Sequence, residues 1–281
     1  MNENPFLMDR IIRAALEEDL GAGDVTTDSI VAPELRGSAS LVAREELVLA
    51  GLHVFAAVFH ALSREVTFEN FFQEGQGVPA GGTICRVRGP VRVLLKAERT
   101  ALNFLQRMCG IATTTRRYVE KCGPWKAKVV DTRKTAPGLR LLDKYAVRVG
   151  GGFNHRLGLF DGILIKDNHI AAAGSVRRAV ESAKKGAPHV LKVEVEVEDL
   201  EGLREAVEAG ADVVLLDNMS PELMRKAVEA AGGRVVLEAS GGIHLGNIEE
   251  VARTGVDFIS VGALTHSVKA SDLSLEIEPS S

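Results

Sequence analysis

The sequence predicts an α/β protein built on an incomplete parallel α/β barrel, preceded by a smaller α/β domain. Three observations lead there. From Ala127 onward, apolar runs recur at 129–130, 163–165, 190–197, 213–216, 235–237 and 258–261, with helix-periodic stretches at 175–185, 199–209, 221–231 and 247–254 between most of them. Strand–helix alternation with near-continuous apolar strands means a parallel sheet. Next, polar residues or glycines stand at the C-terminal ends of these runs: Arg133-Lys134, Lys166, Glu196, Asp217, Ser240 and Gly262. A barrel brings such ends to one mouth, whereas an open doubly wound sheet spreads them along an edge. Finally, six runs are visible and the irregular stretch 131–162 has room for another break, so a regular eightfold barrel is not expected.

At 281 residues the chain has room for one large domain, or for a barrel and a smaller partner. Apolar content of 46% and charged content of 26% are ordinary for a soluble globular protein with a sizeable core. Nothing approaches a transmembrane run of roughly 18 apolar residues. The start, MNENPFLMDRII, lacks the basic and apolar regions of a signal peptide, so the cytoplasm is the expected location. Cys85, Cys109 and Cys122 lack CxxC spacing and read as buried reduced thiols. A net charge of −4 with scattered basic residues argues against nucleic acid as a partner.

In chain order, residues 9–20 place apolar side chains at 11, 12, 15, 16 and 20, one face of a helix that Gly21 to Asp24 ends. Residues 24–27 lead into strand-like segments at 38–43, 47–50 and 66–72, with a helix at 53–62 between them. His53 and His60 on that helix have no carboxylate at ligand spacing and read as packing residues. Residues 73–95 are glycine-punctuated strands; the turn at 78–82 holds no lysine, which removes a lipoyl- or biotinyl-carrier hairpin. A helix then covers 96–121, with 97, 101, 104, 105 and 108 on one apolar stripe. Arg99 and Arg107 stand eight apart near one face, and spacing alone reads them as solvated or ion-paired. Further on, EAGADVVLLDN and RTGVDFISVGA repeat one template of helix-ending glycine, Asp and buried strand. The expected division is an N-terminal domain over 1–108, rejoined by the tail 268–281, and a barrel over 109–267.

The stretch 131–170 holds seven Lys or Arg against four Asp, a basic island in an acidic chain and a focusing field for an anion. Arginine recognises carboxylate or phosphate with a planar fork, and lysine supplies a point charge. Arg133, Lys134, Arg156 and Lys166 together suit a ligand with several anionic groups, and His155 could donate to the same anion. Glu196 and Asp217 are the counterweight. Acids beside such a cluster can bind ribose hydroxyls, hold Mg²⁺ through water, or stabilise a developing carbocation. Glu194 shares the face of Glu196 by alternation and would lie deeper. Ser240-Gly241-Gly242 and Gly262-Ala263, after the last two runs, suit a phosphate cradle of backbone N–H groups. His266 could reach that phosphate or cap a turn, while His169 and His189 read as structural.

TRKT at 132–135 and GGGFNHRLGLFDGILIKDNHI at 150–170 closely resemble the quinolinate phosphoribosyltransferases, also called carboxylating nicotinate-nucleotide pyrophosphorylases. The likeness continues upstream in ERTALNFLQRMCGIAT and downstream in VEVE, LLDN, EASGGI and VGALTHS, so it spans nearly the whole chain. It implies a barrel of about seven strands and an N-terminal domain of open-sandwich type. It also implies a reaction: quinolinate and phosphoribosyl diphosphate (PRPP) give nicotinate mononucleotide, diphosphate and CO₂, a step of de novo NAD biosynthesis. By the same resemblance Arg133, His155, Arg156, Lys166 and a neighbouring subunit's Arg99 hold the quinolinate carboxylates. Lys134 sits between the 2-carboxylate and the diphosphate, with Thr132 nearby. Ser240, Gly241, Gly242, Gly262 and Ala263 hold the 5′-phosphate, with His266 in reach. Glu196 and Asp217 take the ribose hydroxyls near the Mg²⁺ that PRPP carries, and Lys134, Glu196 and Asp217 form the catalytic set. A homodimer follows from a shared Arg99, with assembly of dimers left open.

Absent motifs narrow the class. There is no GxxxxGK[ST], strand-linked GxGxxG, HExxH or GxSxG. Residues 213–220 lack the second acid and the TG turn of the commoner phosphoribosyltransferase fold. Three rivals remain: a related phosphoribosyltransferase with another acidic heterocycle, a Schiff-base lyase using Lys134 or Lys166, and a non-catalytic sensor of anionic metabolites.

Overall fold

Short strands and capped helices succeed one another along the computed structural model, which describes residues 5–279. The elements are α1 (Pro5–Leu20), α2 (Val25–Ile30), β1 (Arg36–Ala43), β2 (Leu47–Val48), α3 (Leu52–Leu62), β3 (Thr67–Asn70), β4 (Gly77–Val78), β5 (Thr83–Pro90) and α4 (Val91–Cys122). There follow β6 (Lys128–Val130), α5 (Arg140–Val149), β7 (Ile163–Ile165), α6 (Asp167–Ala173), α7 (Val176–Gly186), β8 (Val193–Val197), α8 (Leu200–Glu208) and β9 (Val213–Asp217). The last are α9 (Pro221–Ala231), β10 (Val236–Ser240), α10 (Ile248–Ala252), β11 (Phe258–Ser260), α11 (Ala263–His266) and β12 (Leu273–Pro279). They fall into two units. One holds residues up to Thr114, Ala136–Gly150 and the chain from Val268; the other holds Thr115–Thr135 and Gly151–Ser267.

The first unit is built on an antiparallel sheet in the order β12-β1-β5-β3. Helix α3 buries Val54, Phe55, Val58 and Phe59 completely. The Phe55 and Phe59 rings meet at 5.0 Å and both reach Phe68 of β3, so one aromatic cluster joins helix to sheet. Residues 136–150, expected in the barrel, belong here. Helix α5 buries Leu142, Ala146 and Val147, and its buried Asp143 takes a two-pronged ion pair from Arg107 of α4 at 2.8 Å. Residues 25–30, ahead of the first strand, form a helical turn. The Asp24 carboxylate accepts the Thr27 N–H, and that cap outweighs the β preference of Val25 and Thr26.

The chain from Val268 returns across α4, where Gln106 Nε2 donates to the Leu273 carbonyl and the Gln106 carbonyl accepts the Ser271 N–H. Gly110 makes that crossing possible, because a Cβ there would stand 2.2 Å from the Lys269 carbonyl oxygen. The obstacle is backbone, which no rotamer change relieves. Gly110→Ala is therefore expected to cost about 1–3 kcal/mol, read as a lowered Tm by calorimetry. An unchanged Tm would contradict this packing.

In the second unit all strands are parallel, in the order β6-β11-β10-β9-β8-β7. From β7 to β11 each strand pairs with the next in sequence, and β11 then pairs with β6, the first. Phe153 adds a single parallel bridge to Val130 on the far side of β6. The wall therefore has seven positions and one seam, between the Phe153 bridge and β7, across which no ladder runs among the described residues. This is the incomplete barrel, its second strand reduced to one bridge behind three glycines.

The repeated template has a physical reason. Asp212 and Asp257 each enter a strand, and each carboxylate accepts the N–H at the start of the neighbouring strand, from Val193 and Leu237, both at 2.9 Å. Each acid thus pins the register of β8 and β10 at the end away from the mouth. Among the described residues no helix is long and apolar enough to cross a membrane.

Candidate active site

The register fixes which residues share the rim. Val130 lies opposite Ser260, Ser240 opposite Asp217, and Ile165 opposite Val195. The residues that follow or end these strands, Asp131 to Lys134, Lys166, Glu196, Asp217, Ser240 and Gly262, therefore stand around one mouth at the C-terminal ends of a parallel wall.

Asp131, fully buried just beyond β6, organises the cationic side. Its carboxylate accepts the His155 N–H at 2.8 Å and the Asn154 side-chain amide at 2.7 Å, which fastens 154–156 to the end of β6. Arg156 is brought beside Arg133. Burial, and then the Arg133 charge, lower the Arg156 pKa, while Glu194 and Asp161 oppose them. Arg156 Nη1 donates to the Gly162 carbonyl at 3.0 Å, and its Nε is buried with no hydrogen-bond partner. Two like charges held together, with an unanswered donor, suit an incoming anion.

Lys166 reaches across to Glu196, with Nζ 2.5 Å from Oε2. Its backbone is held by His169, whose Nδ1 accepts the Lys166 N–H and whose own N–H donates to the Lys166 carbonyl. His169 thus has the structural part expected of it. Thr132 Oγ1 accepts the Lys134 N–H at 3.0 Å, and the Lys134 carbonyl accepts the Thr265 hydroxyl at 2.8 Å. The Lys134 stem lies against the Gly262 turn, where a Cβ would come within 3.4 Å of it and 3.0 Å of the His266 ring. His266 is exposed, and its Nδ1 meets Ser267 Oγ at 2.6 Å. Ala263 opens the short α11 just beyond that turn.

The remaining wall joins Asp217 to the glycine turn. Asn218, in a left-handed backbone conformation at φ 52°, donates from Nδ2 to Asp217 Oδ2 at 2.7 Å and from its backbone to the Ser240 carbonyl at 2.9 Å. Gly241 (φ +86°) packs so closely that a Cβ would fall 2.2 Å from Asn218 Oδ1. Gly241 and Gly242 both need positive φ, which leaves their backbone amides unscreened by side chains at the rim. Arg99 is an exposed residue of α4 in the first unit.

His155, expected beside the anion, has its Nδ1 accept the Arg156 N–H at 2.7 Å while its Nε2 lies 2.9 Å from Glu194 Oε2. Both ring nitrogens are engaged within the chain. Sequence reasoning passed over Asp131, Asn218 and Glu238, and placed Glu194 below the mouth without its partners. Asp131 and Asn218 directly adjoin residues singled out in TRKT and LLDN. The two glutamates become visible only once the wall is closed.

Comparison with known proteins agrees with this geometry. The family model described as quinolinate phosphoribosyl transferase, C-terminal domain, matches residues 111–276, and that of the N-terminal domain matches 24–109. A probable nicotinate-nucleotide pyrophosphorylase (carboxylating) of Bacillus subtilis is 43% identical over 274 residues, covering 98% of this chain and 94% of that protein. A quinolinate phosphoribosyltransferase (decarboxylating) of Nicotiana glauca is 39% identical over 95% of this chain and 81% of its own length. The crystal structure of NadC from Streptococcus pyogenes superposes with a TM-score of 0.96 at 46% identity, covering all of both chains. On this evidence the chain belongs to the quinolinate phosphoribosyltransferase family.

Proposed function

We propose that this chain is the phosphoribosyltransferase that converts quinolinate and PRPP to nicotinate mononucleotide, diphosphate and CO₂, a step in making NAD. The observation that carries this reading is the meeting, at one barrel mouth, of the Arg133–Arg156 pair and the Lys166–Glu196 pair with the Asp217–Gly241 wall. Quinolinate brings two carboxylates; PRPP brings a 5′-phosphate and a Mg²⁺-laden diphosphate. Gathering them in one place calls for fixed cations.

Arg133, Arg156 and Lys166 would grip the quinolinate carboxylates, Lys166 exchanging Glu196 for the substrate. Ser240, Gly241, Gly242, Gly262 and Ala263 would cradle the 5′-phosphate, with His266 beside it. Glu196 and Asp217 would take the ribose hydroxyls, the Mg²⁺ that rides on PRPP standing near them, and Thr132 would hold the Lys134 backbone. The C1–diphosphate bond breaks with its electron pair leaving on oxygen, and Lys134 meets that growing charge. The oxocarbenium-like ribose faces the two acids and is captured by the pyridine nitrogen. The ring is now cationic at nitrogen, so it accepts the electron pair when the C2–carboxylate bond breaks. CO₂ departs and a solvent proton fills C2. Positioning and preorganised charge supply most of the acceleration.

We infer further that the protein is a homodimer in which the partner's surface supplies Arg99, and that it works in the cytoplasm, where three free buried thiols are at home. The test of the reaction is incubation of the pure chain with Mg²⁺, PRPP and either quinolinate or nicotinate. Nicotinate mononucleotide, diphosphate and CO₂ from quinolinate alone is the expected result. Turnover of nicotinate in preference, or none without a Schiff-base adduct, points to the rivals. Chelation of Mg²⁺ should stop turnover, and added Mg²⁺ should restore it. Mixing inactive Arg99→Ala and Lys134→Ala chains should recover part of the activity in hybrid dimers. No recovery despite subunit exchange overturns the shared site.

A further inference from the structure

Beneath the mouth lies a layer of ionisable side chains that the reaction as described does not use. His155, Glu194 and Glu238 come from the second, fourth and sixth positions of the wall, the alternate-strand pattern by which barrel interiors are filled. His155 Nε2 is 2.9 Å from Glu194 Oε2 and 3.8 Å from Glu238 Oε1. Glu194 is 6% exposed and Glu238 4%, and Oε1 of each lacks a hydrogen-bond partner.

Three such groups could bind a metal ion, but the ring decides otherwise. Because Nδ1 accepts the Arg156 N–H, it carries no proton, and the ring's one proton is on Nε2, aimed at Glu194. A metal at Nε2 would require the imidazolate. The cluster therefore holds protons, and one N–H cannot answer two carboxylates.

We propose that Glu194 and Glu238 are positioning residues for Arg156: they clamp the His155 ring against the Arg156 backbone N–H. The idea deepens the quinolinate reading and rests on it, since Arg156 is the guanidinium that grips the carboxylate. The groups facing Glu238 come from every side: Glu194 of β8, His155 beyond the bridge, Ser260 of β11 and Asp131 beyond β6. Burial and the Glu194 carboxylate push Glu238 up to about 7, Asp131 adds to the push, and the Ser260 hydroxyl opposes it. Once Glu238 loses its proton, two carboxylates face one ring. With that proton gone to solvent, the two carboxylates repel each other and compete for the one Nε2–H, which turns the ring and takes Nδ1 away from the Arg156 N–H. The clamp opens, and Arg156 leaves its place.

The experiment follows KM for quinolinate and for PRPP against pH in the full-length enzyme and in Glu238→Gln. If quinolinate binds only the form with Glu238 protonated near 7, its KM rises about tenfold between about pH 6 and about pH 8 while that of PRPP stays level. Glu238→Gln, permanently neutral, is expected to lose that rise. A variant that keeps the rise, or a wild type in which both KM values move together, overturns the proposal. A second measurement needs neither the variant nor turnover: ¹⁵N NMR of histidine-labelled protein, with His155 assigned through His155→Gln. A neutral ring protonated at Nε2 at about pH 6 is expected. An imidazolium or an Nδ1–H ring overturns the clamp. A chain that shows the expected ring but never turns over quinolinate refutes the function and not the clamp.

Discussion

Lys134→Ala is expected to lower kcat by about 10²–10³, roughly 3–4 kcal/mol of transition-state stabilisation, while KM for quinolinate changes far less. The split follows from where the lysine is held. Its backbone is pinned by Thr132 Oγ1 and by the Thr265 hydroxyl, and its stem runs against the Gly262 turn. Among the described residues no acid pairs with its ammonium, unlike that of Lys166, which Glu196 holds at 2.5 Å. On the proposed mechanism Lys166 surrenders a partner when substrate arrives, and that exchange is part of binding. The Lys134 charge would meet the departing diphosphate at no such cost, so its effect should belong mainly to the step in which charge develops. Lys134→Arg should rescue little, because a planar fork does not fit beside Gly262 and the His266 ring as a point charge does. Steady-state kinetics with both substrates varied checks this. A loss confined to KM would place Lys134 on quinolinate instead.

The barrel was legible because most wall positions are apolar and the polar residues gather at the strand ends, the buried Glu194 of β8 and Glu238 of β10 being exceptions. Even the duplicated Asp212 and Asp257 showed as a repeated phrase before their hydrogen bonds to β8 and β10 were known. What escaped the sequence has common causes. Helix α5 has Asp143 and Lys144 on its buried side, so apolar periodicity does not mark its face. Helix α2 is six residues, four of them β-formers, governed by one cap. Glu194 looked like a deeper duplicate of Glu196, and so it is, but its partners are His155 and Glu238. No local pattern announces a meeting that needs three separate wall positions to close on one another.

Asp143→Ala is expected to destabilise the protein by about 3–5 kcal/mol, which for a chain of this size lowers Tm by about 10 °C. Asp143 is fully buried and accepts Nε and Nη2 of Arg107 at 2.8 Å each, with the Ala136 N–H as a third donor at 3.2 Å. Leu139, at the N-terminus of α5, offers no side-chain cap, so this carboxylate also secures the turn leading into the helix. Truncation leaves the Arg107 charge facing a low-dielectric hole, and a missing partner costs more than a missing pair. The double variant Arg107→Met, Asp143→Leu should therefore lose less than Asp143→Ala alone, the reverse of additivity. Calorimetry on the three proteins decides; a double variant no better than the single would mean that the pair is not the source of the loss. Two arginines eight apart on α4 thus have opposite fates. Arg107 is neutralised within its own chain, whereas Arg99 lies exposed on the same helix.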